Sequence, residues 1–442
     1  MKKHQQSQQS SNNVTPSPAV DLALRFFTYR GCLPGNPPRT IDYKHLITDA
    51  GFDVQYFGSV DDDAVVDDTM WLAFLDAERK HLGFFPPPYS ECAIPYIRAI
   101  MNTLGTFQPD VVVYGLFPEV AVASAIQGWR TVSYVTVVPS IFRAWVQNRQ
   151  RITKDTTNND TASVENKPAN PWKVIQDAAA ACGLKYPSSF SQGQQDPRAE
   201  FFRAIQPNHT IVCDFESYYD NERLPSDITV VGPIISSVDA SKDVDDIELF
   251  LNQNHDIDTV APVKVLLTMG STGEPAPFTE ALKALCFTEV GTFLSIVLIP
   301  TTVLHTSSSE NDAIIQTADS RGDILLVKKF VNARPLMPLV DVVLCHGGQQ
   351  TIHTALAGGV PIVGRPAHFE QQYHLDNVER CHAGVCISPD DWKEENIRKV
   401  LLRVGRESLI YREGAARVRT QFMNSNGAER AASIMEMIYS RQ

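Results

Sequence analysis

The chain has 442 residues, 43% apolar and 20% charged, with a formal charge of -12. That length sets two or three domains, each able to bury its own core. The acidic balance excludes a dedicated nucleic-acid binder or a basic membrane-surface protein, because both need a cationic footprint.

Residues 1–20, rich in Gln, Ser and Asn, are expected to be a disordered tail; they lack the apolar stretch of a signal peptide. No run approaches the ~18 apolar residues of a transmembrane span. The eight cysteines form no CxxC pair, and several sit in apolar runs such as IVCDF and VVLCHGG. They read as reduced thiols in a cytoplasmic protein.

LALRFFTY reads as a first strand and GCLPGNPPRT as a loop. IDYKHLITDAGFDVQYF reads as helix, Gly51 stop, then strand. PDVVVYG (109–115) is a buried strand, EVAVASAIQG (119–128) a helix, and RTVSYVTVV (130–138) the next strand. Strand, helix, strand with glycine at each helix end is the rhythm of a parallel α/β sheet. The polar stretch 151–170 interrupts it as a flexible surface loop. The rhythm resumes with HTIVCDF and ITVVGPI, then gives way to an acidic, weakly structured linker at 235–261.

A second α/β unit follows, with strands at VKVLLTM, FLSIVLI, GDILLVKKF, VDVVLCHGG and VPIVGRP. Two Rossmann-like domains facing a cleft are expected, an α/β architecture with 21–234 and 262–424 as its halves. Residues 425–442 form a last helix.

The chemistry concentrates in residues 341–377, DVVLCHGGQQTIHTALAGGVPIVGRPAHFEQQYHLDN. A buried strand runs straight into His-Gly-Gly and a helix. Glycines there let the backbone approach a ligand, and the first helical N–H groups form an anion site suited to a diphosphate. Glycine-rich turns of this kind also occur without a ligand, so local physics leaves both readings open. A similar turn, Met269-Gly270-Ser271-Thr272-Gly273, follows the first strand of the same unit. Neither has Walker or GxGxxG spacing.

The segment resembles the donor-binding signature of GT-B glycosyltransferases that use nucleotide sugars, including plant and bacterial enzymes that decorate natural products. Their pattern runs HGGxxSxxEAL, GVP, then PxxxD/EQ. This chain has His346-Gly347-Gly348, Thr351, Ala355-Leu356, Gly359-Val360-Pro361, Pro366 and Glu370-Gln371. The acidic-Gln pair stands 24 and 25 residues after the His, the family's own spacing.

The resemblance implies a GT-B fold and an inverting hexosyl transfer from a UDP- or dTDP-sugar to a hydroxyl of a small, lipophilic acceptor. His346, Gly348, Gln350 and Thr351 would hold the diphosphate, with Gly270 and Ser271 approaching from the other side. Phe330, Val331 and Ala333 would pack and bond the base, and Glu370 and Gln371 the sugar hydroxyls. A charge-assisted hydrogen bond of that kind contributes roughly 1.5–3 kcal/mol. The C-terminal helix would pack back on the N-terminal domain. The nucleotide sugar is a substrate. No cofactor is expected, nor nucleic acid given the acidic balance, and no metal, since the acidic strings at 61–63, 243–245 and 256–258 lack a flanking buried strand.

Two departures stand out. Thr354 occupies a position where the family often has a ribose-binding Glu, which leaves the nucleotide base open. The family's general-base His and its orienting acid fall on Asn36 and Gly115, and Asn cannot act as a base near neutral pH. Glu119 or His45 would have to substitute, or the acceptor would have to be acidic. Otherwise the chain would be a nucleotide-sugar or ligand-binding protein without turnover, and an epimerase acting on the donor is a third reading. Trp129, Phe142 and Trp145 are candidates to line an acceptor pocket, core packing being the alternative. Residues 330–377 carry Arg334 and Arg365 against Asp341, Glu370 and Asp376. A diphosphate there would be met by oriented dipoles, with weak dependence on salt.

Overall fold

The computed structural model describes residues 88–115, 118–135, 171–185, 197–219, 223–235, 245–252, 260–270, 275–300, 303–304, 309–329, 331–367 and 369–440, and the backbone of four short strands ahead of them. Those strands are β1 (Arg25–Thr28), β2 (Gly31–Leu33), β3 (Arg39–Ile41) and β4 (Asp53–Tyr56). β1 pairs parallel with β4, and β2 pairs antiparallel with β3, Cys32 opposite Thr40. The stretch GCLPGNPPRT is therefore not wholly a loop: its two ends pair. Ile41 ends a strand, where the sequence reading began a helix.

The N-terminal unit continues with α1 (Pro88–Phe107), β5 (Val111–Tyr114), α2 (Pro118–Gln127), β6 (Arg130–Val135), α3 (Pro171–Ala181), α4 (Pro197–Ala204), β7 (His209–Val212) and β8 (Ile228–Val230). All four of these helices open on proline, whose missing N–H costs nothing at the first helical position. α1 buries Ile97, Ile100 and Leu104, a stripe at helical spacing. β5, β6, β7 and β8 form a parallel sheet in chain order.

Within the acidic stretch 235–261, residues 245–252 are described and are largely helical. They contain α5 (Asp245–Leu251), with three acidic residues in its first turn and Ile247, Phe250 and Leu251 buried. Carboxylates at a helix N-terminus stabilise it through the dipole.

The C-terminal unit comprises β9 (Val263–Thr268), α6 (Pro275–Cys286), β10 (Phe293–Leu298), α7 (Ser309–Asp319), β11 (Ile324–Val327), β12 (Val342–Cys345), α8 (Gln349–Gly358), β13 (Ile362–Gly364), α9 (Phe369–Arg380), β14 (Gly384–Cys386), α10 (Glu394–Leu402), α11 (Leu409–Met423) and α12 (Gly427–Ser440). Its six strands run parallel in the order β11-β10-β9-β12-β13-β14. That is the doubly wound order of dinucleotide-binding folds, in which ligands bind where the strand order reverses. The reversal here lies between β9 and β12. Val265, Leu266, Leu267, Val342, Val343 and Leu344 on these strands have no exposed surface, as expected of a sheet covered on both faces.

The two units share one buried cluster, which runs from Val212, Phe215 and Val230 to Val343, Ile352 and Leu375. The last helix returns to the first unit. Ala431 and Ile438 of α12 pack with Val132, Ile211 and Val231, and the Arg130 guanidinium donates to the carbonyls of Ile438 and Tyr439 at 3.1 and 2.8 Å. A cation there satisfies terminal carbonyls and complements the helix dipole. Arg130→Ala is expected to cost about 1–2 kcal/mol in urea unfolding, with Arg130→Lys recovering part of it. An unchanged midpoint in both variants would show that this contact contributes nothing.

Candidate functional site

β9 and β12 are neighbours, with Cys345 opposite Thr268, so the turns that leave them open on one crevice. In the first turn Gly270 sits at φ 70, and a Cβ there would fall 2.8 Å from His346 Cε1. In the second, a Cβ on Gly348 would fall 2.5 Å from His346 Nε2. The imidazole is thus packed between the two turns, and a side chain at either glycine would have to displace it.

Gly348 is also the N-cap of α8, with no side-chain cap and no acidic residue in the first turn. The opening N–H groups of that helix have no intrahelical acceptor, and its positive dipole end is not neutralised by a first-turn carboxylate. Thr351 is half-buried there, and Gln350 is exposed. Gln349, which sequence reasoning passed over, ties this turn to the other unit: its Nε2 donates to the Cys213 carbonyl at 3.0 Å. Nothing in the sequence signals that contact, because its partner lies 136 positions away.

Farther along α8, Thr354 is nearly buried and its hydroxyl donates to the Gln350 carbonyl at 2.7 Å. It retains only acceptor capacity. Val331 is buried in the shared core, so its backbone rather than its side chain can meet a base. The Ala333 carbonyl accepts from Leu336 N–H at 3.1 Å as a 3-10 turn begins. At the start of α9, Gln371 Oε1 accepts from Ala367 N–H at 2.7 Å, which leaves its amide NH2 as the donor. Glu370 is partly exposed, with Oε1 3.8 Å from His374 Nε2.

Other candidates separate. Asn36, His45, Ser271, Phe330, Phe142 and Trp145 lie outside the described residues, as do 1–20 and 151–170. Trp129 is half-buried and packs on the core formed by β5, α1, α2, α3 and α4. A Cβ on Gly115 would fall 3.0 Å from both Cζ and the hydroxyl oxygen of Tyr134. The phenol therefore occupies the space a carboxylate side chain at 115 would need. Glu119, in the first turn of α2, is 4% exposed. Burial pushes its carboxyl up to about 7, against a smaller lowering by a backbone hydrogen bond.

A groove of about 510 Å³ lies at the far end of α8, with Arg334, Thr354, Gly359, Arg412 and Arg419 in its lining. Arg412 is committed there to Asp341 at 2.8 Å and to the Gly405 carbonyl at 2.6 Å. The described cysteines are free thiols. No described helix is long and apolar enough to cross a membrane.

Residues 289–433 match the glycosyltransferase family 28 C-terminal domain. The chain is 24% identical over 215 residues to a PGL/p-HBAD biosynthesis glycosyltransferase of Mycobacterium tuberculosis. That match takes in 49% of this chain and 44% of the relative, so it spans less than half the relative's length. The calicheamicin glycosyltransferase CalG4 superposes with a TM-score of 0.57 at 18% identity, covering 90% of this chain and 89% of that one. The spinosyn rhamnosyltransferase SpnG in complex with thymidine diphosphate gives 0.52 at 14% identity, covering 89% and 90%. The fold is GT-B.

The packing of His346 gives a direct test. Gly270→Ala adds a Cβ against the imidazole and places a side chain at positive φ. It is expected to lower thermal stability by about 1–3 kcal/mol and to weaken nucleoside diphosphate binding in calorimetry. Unchanged affinity would detach this turn from the site.

Proposed function

We propose that this chain, a GT-B protein whose C-terminal unit carries the glycosyltransferase family 28 C-terminal domain, is an inverting glycosyltransferase. It moves a hexosyl group from a UDP- or dTDP-sugar to the hydroxyl of a small, largely apolar acceptor. The observation that carries the reading is the crevice at the strand-order reversal, where His346 is wedged between Gly270 and Gly348 beside the open N-terminus of α8.

In this reading the diphosphate lies on the first N–H groups of α8, with His346 and Thr351 as side-chain donors and the turns at Gly270 and Ser271 opposite. Phe330, Val331 and Ala333 meet the base, and the Thr354 hydroxyl accepts from the ribose. Glu370 and the Gln371 amide bind sugar hydroxyls. The acceptor oxygen attacks the anomeric carbon from the face opposite the diphosphate, forming the new C–O bond as the bond to the β-phosphate oxygen breaks. The electron pair leaves on the diphosphate, where the helix end stabilises it without calling on a metal ion.

The acceptor proton goes to Glu119. Glu119 stands four residues past Gly115, where the family's orienting acid would fall, and a carboxyl poised near 7 suits general-base work at neutral pH. The likeness to a thymidine diphosphate complex supports a dTDP donor as readily as a UDP donor.

The test is release of nucleoside diphosphate across a panel of UDP- and dTDP-sugars with hydroxylated aromatic and polyketide acceptors. The product's anomeric configuration is read by NMR. Inverted product from at least one pair is expected; binding without turnover for every pair would refute the transfer.

Glu119 carries a second signature. Its folded pKa of about 7 lies above the reference 4.5, so the folded state keeps the proton longer than the unfolded one. Stability attributable to this group is lost as pH rises through that window. Glu119→Gln is expected to leave stability unchanged near pH 4 and to raise it by about 3 kcal/mol at pH 8, while transfer falls roughly 10²–10⁴-fold. A variant that keeps its rate would remove Glu119 from the chemistry.

A further inference from the structure

Three ionisable side chains come together where the two units meet. Asp214, just past β7, is 0% exposed; His353 on α8 is 2% and His374 on α9 is 0%. Burying such groups is costly unless they pair with one another. Asp214 is well provided for. Its Oδ1 accepts from Phe215 N–H at 2.8 Å and lies 3.1 Å from His353 Nε2, and its Oδ2 accepts from the Tyr219 hydroxyl at 3.0 Å. Burial, and then the charge on Asp214, raise the Tyr219 phenol, which keeps that hydroxyl a donor.

His374 stands between two carboxylates. Its Nδ1 is 3.9 Å from Asp214 Oδ2, and its Nε2 is 3.8 Å from Glu370 Oε1. The rings of His353 and His374 meet edge to face at 6.1 Å, which closes the cluster. No group of three or more His, Cys, Asp or Glu among the described residues is placed to hold a metal ion. The transfer chemistry above uses neither histidine nor Asp214.

We propose that Asp214 and His374 are a positioning pair: the N-terminal unit's buried carboxylate orients the His374 ring, which in turn holds Glu370 for the donor sugar. The inference rests on the reading of Glu370 as a sugar-binding carboxylate. Asp214 has a fixed place because three donors hold it, and its charge lies 3.9 Å from the nearer ring nitrogen of His374, where it can bias the imidazole's orientation. Nε2 then faces Glu370 one helical turn away. Separations of 3.8–3.9 Å are longer than hydrogen bonds, and only a ring that carries a proton on both nitrogens can answer both carboxylates across them; contacts of this kind are often long in an unloaded site. Sugar recognition in the C-terminal unit thus depends on a residue of the N-terminal one.

The experiment is calorimetric titration of the full chain with UDP, UDP-glucose, dTDP and dTDP-glucose. His374→Gln and Asp214→Asn are expected to weaken the sugar nucleotide about tenfold while the plain diphosphate stays within about twofold. On a Glu370→Gln background, His374→Gln should add nothing, because both act through one contact. Tyr219→Phe, which removes only the hydroxyl on Asp214, is expected to weaken the sugar nucleotide about threefold and serves if a buried-charge variant fails to fold. Equal weakening of both ligands, no change in either, or additivity with Glu370→Gln would overturn the pairing. A wild-type chain that binds none of the four ligands would overturn the donor reading, and the pairing with it.

Discussion

The opening N–H groups of α8 have no acceptor within their own helix, and the site grows from that constraint. Gly348 caps the helix without a side chain, and no first-turn carboxylate answers the dipole. The strand order puts this turn beside the one after β9, so backbone from both strands meets in a single crevice. His346 fills the space between them, and the two glycines make room for it. An overall charge of -12 is compatible with an anionic ligand, because in the proposed site recognition would fall on oriented N–H groups rather than a field of cations. Such a site is less exposed to screening than a lysine- or arginine-lined one.

The crevice does not belong to one unit alone. α8 is tied to the chain leaving β7 by Gln349 on Cys213, and by His353 on Asp214. The shared apolar cluster continues the same contact beneath them. In the N-terminal unit, Glu119 sits buried at a helix start with its carboxyl pushed to about 7, which costs stability as pH rises toward and past that value.

Much of this was legible from residue order. The run from Val342 through His346-Gly347-Gly348 into α8 announced strand, turn and helix. Long buried strands such as β9 and β10 have no competing reading. The misses have physical reasons. β14 is three residues long, too short to carry a pattern. β2 and β3 pair around a proline-rich tip that looks like a loop by composition. α5 is dominated by acids that favour its N-terminus while three apolar residues hold it to the core. The Tyr134 phenol in the space beside Gly115, and the meeting of Asp214 with His353 and His374, are tertiary facts that no local pattern records.

The most direct measurement is a crystal structure of the chain with the nucleoside diphosphate it binds more tightly, UDP or dTDP. The account predicts phosphate oxygens on the N–H groups of residues 349–351, within hydrogen-bond reach of His346 and the Thr351 hydroxyl. A diphosphate seated instead in the groove at the far end of α8, among Arg334, Arg412 and Arg419, would contradict it.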